Sequence, residues 1–117
     1  MNKLTLNIGL NNNPLSAEQI INHFKRNAGA DILAFEEVVM EWGGEPEPTL
    51  VIEVNKEDES FNDKVLLELF IQELCYIYEQ DAIAWELNGE GVLTYRSNYD
   101  GERGEFDVNY FKTISNN

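Results

Sequence analysis

The chain has 117 residues, the length of one domain, and its 22 acidic and 8 basic residues leave a formal net charge of −14. A surface of that charge repels nucleic-acid phosphate and anionic lipid, which excludes direct nucleic-acid binding and membrane association. Hydrophobic residues make up 43% of the chain and fall in periodic blocks, which excludes disorder.

Leu4, Leu6, Ile8 and Leu10 alternate with Thr5, Asn7 and Gly9, the pattern of a strand with one covered and one solvated side. Asn11-Asn12-Asn13-Pro14 breaks that strand. Ser16 with Gln19 makes a capping box, and Leu15 with Ile20 the matching hydrophobic staple. The helix that follows gathers Ile20, Ile21, Phe24 and Ala28 on one face and stops at Gly29.

Asp31 to Trp42 reads as a long strand whose alternation slips at Glu36-Glu37. Leu33 and Phe35 match one face and Val38, Met40 and Trp42 the other, and a bulge at the glutamate pair would reconcile them. Gly43-Gly44-Glu45-Pro46-Glu47-Pro48 turns the chain, and Thr49 to Val54 returns it with Leu50, Ile52 and Val54 inward. A polar connection from Lys56 to Ser60 leads to a helix over Asn62 to Gln80, with Ser60 or Asn62 placed to cap it.

Between Val65 and Tyr78 that helix is apolar except at Glu68, Gln72 and Glu73. A helix lying on a sheet buries a stripe a little over ~100° wide, so Leu66, Leu67, Leu69, Phe70, Ile71, Leu74, Cys75, Ile77 and Tyr78 cannot all face it. The surplus predicts a homo-oligomer, unless Phe106, Tyr110 and Phe111 of the C-terminal segment cover it. Cys75, the chain's one cysteine, excludes an internal disulfide and reads as a buried thiol. With no signal-peptide pattern at Met1 to Leu10, it points to the cytoplasm.

Ala82 to Leu87 and Val92 to Arg96 pair as a hairpin about Asn88-Gly89-Glu90-Gly91. The order is β-α-β-β-α-β plus one strand. With right-handed crossovers this is an α+β, ferredoxin-like sandwich: an antiparallel sheet in the order 4-1-3-2 with both helices on one face. The domain is expected over residues 1–96, with 97–117 as a C-terminal tail packed on it.

That topology brings strand ends and helix ends to one edge. Asn11, Asn12, Asn13, Trp42, Glu47, Gln80 and Asp81 meet there, beside the first helix's N-terminus, whose N–H groups favour an anion. They are the candidate site for a small polar ligand, although Asn-Asn-Asn-Pro is also ordinary turn chemistry. A second constellation is acidic. Glu37, Glu41, Glu45, Glu53, Glu57, Asp58 and Glu59 form a candidate surface for a basic protein partner, or simply a solvated face. Enzymatic motifs are missing: a single histidine, His23, leaves a zinc site short of ligands, no Ser-His-Asp order stands out, and no glycine motif cradles phosphate. No catalytic residue, metal or cofactor is expected, and the chain reads as a non-enzymatic binding protein.

Four short motifs recur together elsewhere: Ile8-Gly9-Leu10-Asn11, Trp42 before a glycine turn, Glu47-Pro48-Thr49, and Gln80-Asp81-Ala82-Ile83-Ala84. From about Leu4 to Tyr95 the chain resembles a loose set of small uncharacterised phage, plasmid and bacterial proteins, some in a domain-of-unknown-function family. The resemblance implies a βαββαβ core and a mobile-element setting, and it brings no activity. The first functional expectation is therefore an anti-defence or host-takeover factor that engages a basic partner in the bacterial cytoplasm. The second is a binder that sequesters a small nucleotide signal at the polar edge.

Overall fold

The computed structural model describes residues 2–28, 31–42, 44–56 and 64–101. Five strands and two helices follow in the order β1 (Asn2–Gly9), α1 (Ala17–Ala28), β2 (Asp31–Trp42), β3 (Glu45–Lys56), α2 (Lys64–Ile77), β4 (Ala82–Leu87) and β5 (Glu90–Tyr95). They build one sheet in the order β2-β3-β1-β4-β5, antiparallel at every joint. The fold is α+β.

Alternation along β1 sets the two faces. Leu4, Leu6 and Ile8 pair with Val54, Ile52 and Leu50 of β3, and Leu4 and Leu6 with Leu87 and Trp85 of β4. These side chains form a single core with Ile20, Ile21 and Phe24 of α1 and Leu67, Ile71, Leu74 and Cys75 of α2, so both helices cover one face. α2 lies against β4 and β5, and α1 reaches β2. Within the core, the Trp85 indole donates to Thr94 Oγ1 at 2.8 Å, which satisfies an otherwise costly buried N–H. Tyr78 is fully buried with its hydroxyl 2.8 Å from His23 Nδ1, and burial raises its pKa. Cys75 donates to the Thr94 carbonyl at 3.4 Å, and burial pushes its thiol up to about 12, as expected of an inert cysteine.

Four local expectations change. The register of β2 shifts at Leu33, between Ile32 and Ala34, and stays regular through Glu36-Glu37. No reconciling bulge is needed at the glutamates, because plain alternation already puts Phe35 opposite Ile52 on the helix side and Met40 opposite Glu47 on the other. The second face is also less solvated than expected: Met40, Thr49 and Ala84 are buried there beside Asn7. The β2–β3 turn is tight, because Trp42 already pairs with Glu45 and Gly44 takes φ +86°. Pro46 and Pro48 lie inside β3. The Pro48 carbonyl accepts from Leu10 N at 2.9 Å, so its ring nitrogen faces the side from which β1 departs, where no ladder bond is lost. In the β4–β5 hairpin the loop is Asn88-Gly89 alone, both at positive φ, which is the turn that Asn-Gly favours. Cap candidates Ser60 and Asn62 fall outside the described residues, as do Phe106, Tyr110 and Phe111.

Candidate functional site

The β1–α1 loop, the start of β3 and the exit of α2 meet at one end of the sheet. A cavity of about 450 Å³ lies there, lined by Asn11, Asn12, Glu47, Glu79, Gln80, Asp81 and Ala82. Five of the seven ligand candidates named from sequence are in that wall. Asn13 supports it from behind: its amide donates to the Gly9 carbonyl at 3.0 Å, and its Oδ1 accepts from Leu15 N at 3.0 Å. Trp42 ends β2 opposite Glu45, and its side chain falls outside the described residues.

The exit of α2 is shaped by a Schellman cap. Gln80 N donates to the Cys75 carbonyl at 2.8 Å and Glu79 N to the Tyr76 carbonyl at 3.3 Å, with Glu79 at φ +52°. Glycine is usual at that position. Here a glutamate takes it, and the reversal of direction places Glu79, Gln80 and Asp81 together in the wall. Asn12 supplies a second left-handed residue at φ +60°, which asparagine tolerates better than most.

Gly9 lies beneath that wall. A Cβ on it would collide with Glu47 Oε1 and would lie 2.6 Å from Gln80 Oε1, so both oxygens converge where a side chain is missing. Gln80 is 8% exposed, and its Nε2 donates to the Tyr78 carbonyl at 3.0 Å, which fixes the aim of its oxygen toward Gly9. Burial raises the Glu47 pKa above its ordinary value, opposed by a hydrogen bond from the Asn11 backbone. Asp81 is held by Arg96, whose guanidinium lies 3.2 Å away and whose backbone N donates to the Asp81 carbonyl at 3.0 Å.

With three carboxylates and three carboxamides, the wall favours a ligand rich in hydrogen-bonding groups and positive in charge. The first helix's N-terminus, whose N–H groups favour an anion, is not among the lining residues, and Ser16 Oγ already accepts from Gln19 N at 3.3 Å in the anticipated capping box.

Among the described residues, the acidic positions named from sequence do not share one face of the sheet. By register Glu53 faces away from the helices and lies 3.5 Å from Lys3, whereas Glu37, opposite Leu50, and Glu41, opposite Pro46, are on the helix side. Glu45 is exposed at the hairpin tip. Glu57, Asp58 and Glu59 lie outside the described residues. Among the described residues no group of three or more His, Cys, Asp or Glu is arranged to hold a metal, and no helix is long and apolar enough to cross a membrane.

No family model matches the chain, and no curated protein does either. A solved structure does share the fold: a phage SAM lyase in complex with S-methyl-5'-thioadenosine. It aligns over 85% of this chain and 92% of that one, with a TM-score of 0.56 and 15% sequence identity.

This likeness corrects the expectation of a non-enzymatic protein, because the fold carries an enzyme in the phage lyase. An inventory of histidine, cysteine and glycine motifs gives no weight to carboxylates and carboxamides that only the topology assembles. Gly9, Glu79 and Ala82 were missed for related reasons. A glycine inside an alternating strand was the available signal for close approach at Gly9, and nothing in the sequence marks Glu79 as left-handed.

Proposed function

We propose that the chain is a lyase for a sulfonium adenosine derivative of the S-adenosylmethionine class, held in the pocket over Gly9. The observation that carries this reading is the convergence of Glu47 and Gln80 oxygens on Gly9, inside a carboxylate-lined cavity of nucleoside size. The fold shared with a phage SAM lyase supports it. We read the βαββαβ core as ferredoxin-like and the setting as a phage or other mobile element.

S-adenosylmethionine carries a sulfonium, an ammonium and one carboxylate, a net positive charge that suits a wall with Glu47, Glu79 and Asp81. The carboxamides of Asn11, Asn12 and Gln80 match the donors and acceptors of a base edge and a ribose. For release of methylthioadenosine without water, the bond from sulfur to the amino-acid carbon breaks. Its electron pair passes to sulfur, which becomes a neutral thioether. The carbon fragment is completed by loss of a proton from the adjacent carbon, and Glu47 accepts that proton.

The charge on sulfur disappears in the transition state, so a bare ion pair would stabilise the substrate more than the reaction. A half-buried carboxylate with a raised pKa is the better base for this step. The test is incubation of the full chain with S-adenosylmethionine, followed by chromatography of the nucleosides. Methylthioadenosine should appear in proportion to enzyme, and ~10²–10⁴-fold more slowly with Glu47→Gln. Intact substrate after long incubation, or product that Glu47→Gln forms as fast, would sink the reading.

A further inference from the structure

The outward arc of α2 carries an apolar seam independent of the pocket. Leu66, Leu69, Glu73 and Tyr76 recur at spacings of three, four and three, the interval at which a helix meets another helix along a shared line. Their side chains do not enter the core: Leu66 is 55% exposed, Leu69 56% and Tyr76 67%, with Val65 alongside at 66%. Phe70, on the flank toward α1, is half-buried against Phe24, at 6.1 Å between ring centroids.

We propose that this seam docks a second copy of the chain, with two α2 helices antiparallel about a twofold axis. Area, charge and spacing argue for this occupant. Together with Ile77, the exposed seam side chains present on the order of 500 Å² of apolar surface, the upper range for the largest patch on a monomer. Two such seams face to face remove on the order of 1,000 Å² from water, the lower bound for a specific interface before any rim is counted. The seam carries one charge, Glu73, on a chain whose formal net charge is −14. A basic partner would find little to pair with along it, whereas an identical apolar seam is complementary by construction, and twofold pairing closes it.

An antiparallel pair centred between Leu69 and Glu73 sets Leu69 against the second copy's Glu73, and Leu66 against its Tyr76. Each Glu73 then costs affinity, which is a specific signature of this register. The long-range repulsion between two acidic copies weakens with added salt, so salt tightens the dimer.

Sedimentation velocity on the full chain, from low micromolar to hundreds of micromolar, tests the proposal. The wild type should dimerise. Leu69→Glu should raise the dissociation constant at least ~100-fold, and Glu73→Leu should lower it about 10-fold. Tyr76→Lys serves as a second charged variant, and thermal melting confirms that each variant folds, as their exposed positions allow. A wild type monomeric throughout overturns the proposal. So does a dimer that both charged variants leave intact, or a Glu73→Leu variant that associates no more tightly. A trimer or larger assembly overturns the twofold arrangement.

Discussion

The pocket and the α2 seam are chemical opposites, and one helix serves both. Along its outer arc α2 presents Leu66, Leu69 and Tyr76, held there by periodicity alone in regular helical backbone. At its exit the same helix contributes Glu79, Gln80 and Asp81, and these are aimed by a left-handed residue and a cap. The seam is written in side-chain spacing. The pocket is written in backbone departures from regular structure, Asn12 and Glu79 at positive φ, and in a close approach of side chains over Gly9. Strain collected at one end of an otherwise regular element is characteristic of functional sites.

The largest test of that contrast acts on the pocket. Glu47→Gln keeps the size of the side chain and removes its charge, and should slow cleavage of S-adenosylmethionine by ~10²–10⁴-fold with little change in melting temperature. The pH dependence has a definite sign. The folded-state pKa of Glu47 lies above its ordinary 4.5, so the folded protein holds the proton longer than the unfolded chain does. That contribution to stability is complete below pH 4.5 and is lost as pH rises through the raised value. Wild type should therefore lose stability relative to Glu47→Gln as pH increases through this window, while its activity rises. Equal pH profiles of stability and activity for the two proteins would show that Glu47 is not the titrating group.

The second test separates the two arcs of α2. Leu74 is 1% exposed and Leu69 is 56% exposed, although both are leucines of the same helix. Leu74→Ala should cost ~2–5 kcal/mol by chemical denaturation, whereas Leu69→Ala should stay within about 0.5 kcal/mol at concentrations where the chain is monomeric. Equal costs would mean that the helix is rotated.

What the sequence made legible follows the same division. Alternation in Leu4 to Leu10, the Ser16–Gln19 box and the Asn88-Gly89 turn are local signals, and the elements they predict are present. The excess apolar circumference of α2 was legible because spacing is a one-dimensional property. Asn11, Asn12, Glu47, Gln80 and Asp81 were placed together from strand order, without any motif. Conformation-dependent features were out of reach. Pro46 and Pro48 read as a turn because their ring nitrogens look harmless only once β1 is known to have ended beside them. The acidic residues read as one surface because adjacency in sequence hides the parity that sends Glu36 and Glu37 to opposite faces.

A smaller effect is expected at Gly9, beneath the pocket wall. Gly9→Ala would push a methyl group against the ends of the Glu47 and Gln80 side chains, with no backbone among the nearest atoms. Flexible ends can move, so stability should change by less than about 1 kcal/mol. Their displacement from the cradle should nevertheless weaken binding of S-methyl-5'-thioadenosine about 10-fold by calorimetry, because preorganised groups no longer converge. Retained affinity in a folded Gly9→Ala protein would remove the cradle from the account of the site.

The smallest effect is the most direct measure of strain at the pocket. A left-handed conformation costs an L-residue roughly 1–2 kcal/mol, which glycine does not incur, and Glu79 occupies that position at φ +52°. Glycine is also freer in the unfolded chain, which offsets part of the gain. Glu79→Gly should therefore stabilise the protein by about 1 kcal/mol, read as a higher melting temperature. Glu79→Ala supplies the necessary contrast, since it removes the same carboxylate and keeps the unfavourable backbone. If both variants weaken ligand binding equally while only Glu79→Gly melts higher, the carboxylate serves the ligand and the backbone carries the strain. If Glu79→Ala melts as high as Glu79→Gly, the gain comes from relieving repulsion among Glu79, Asp81 and Glu47, and the left-handed cap is not a source of strain.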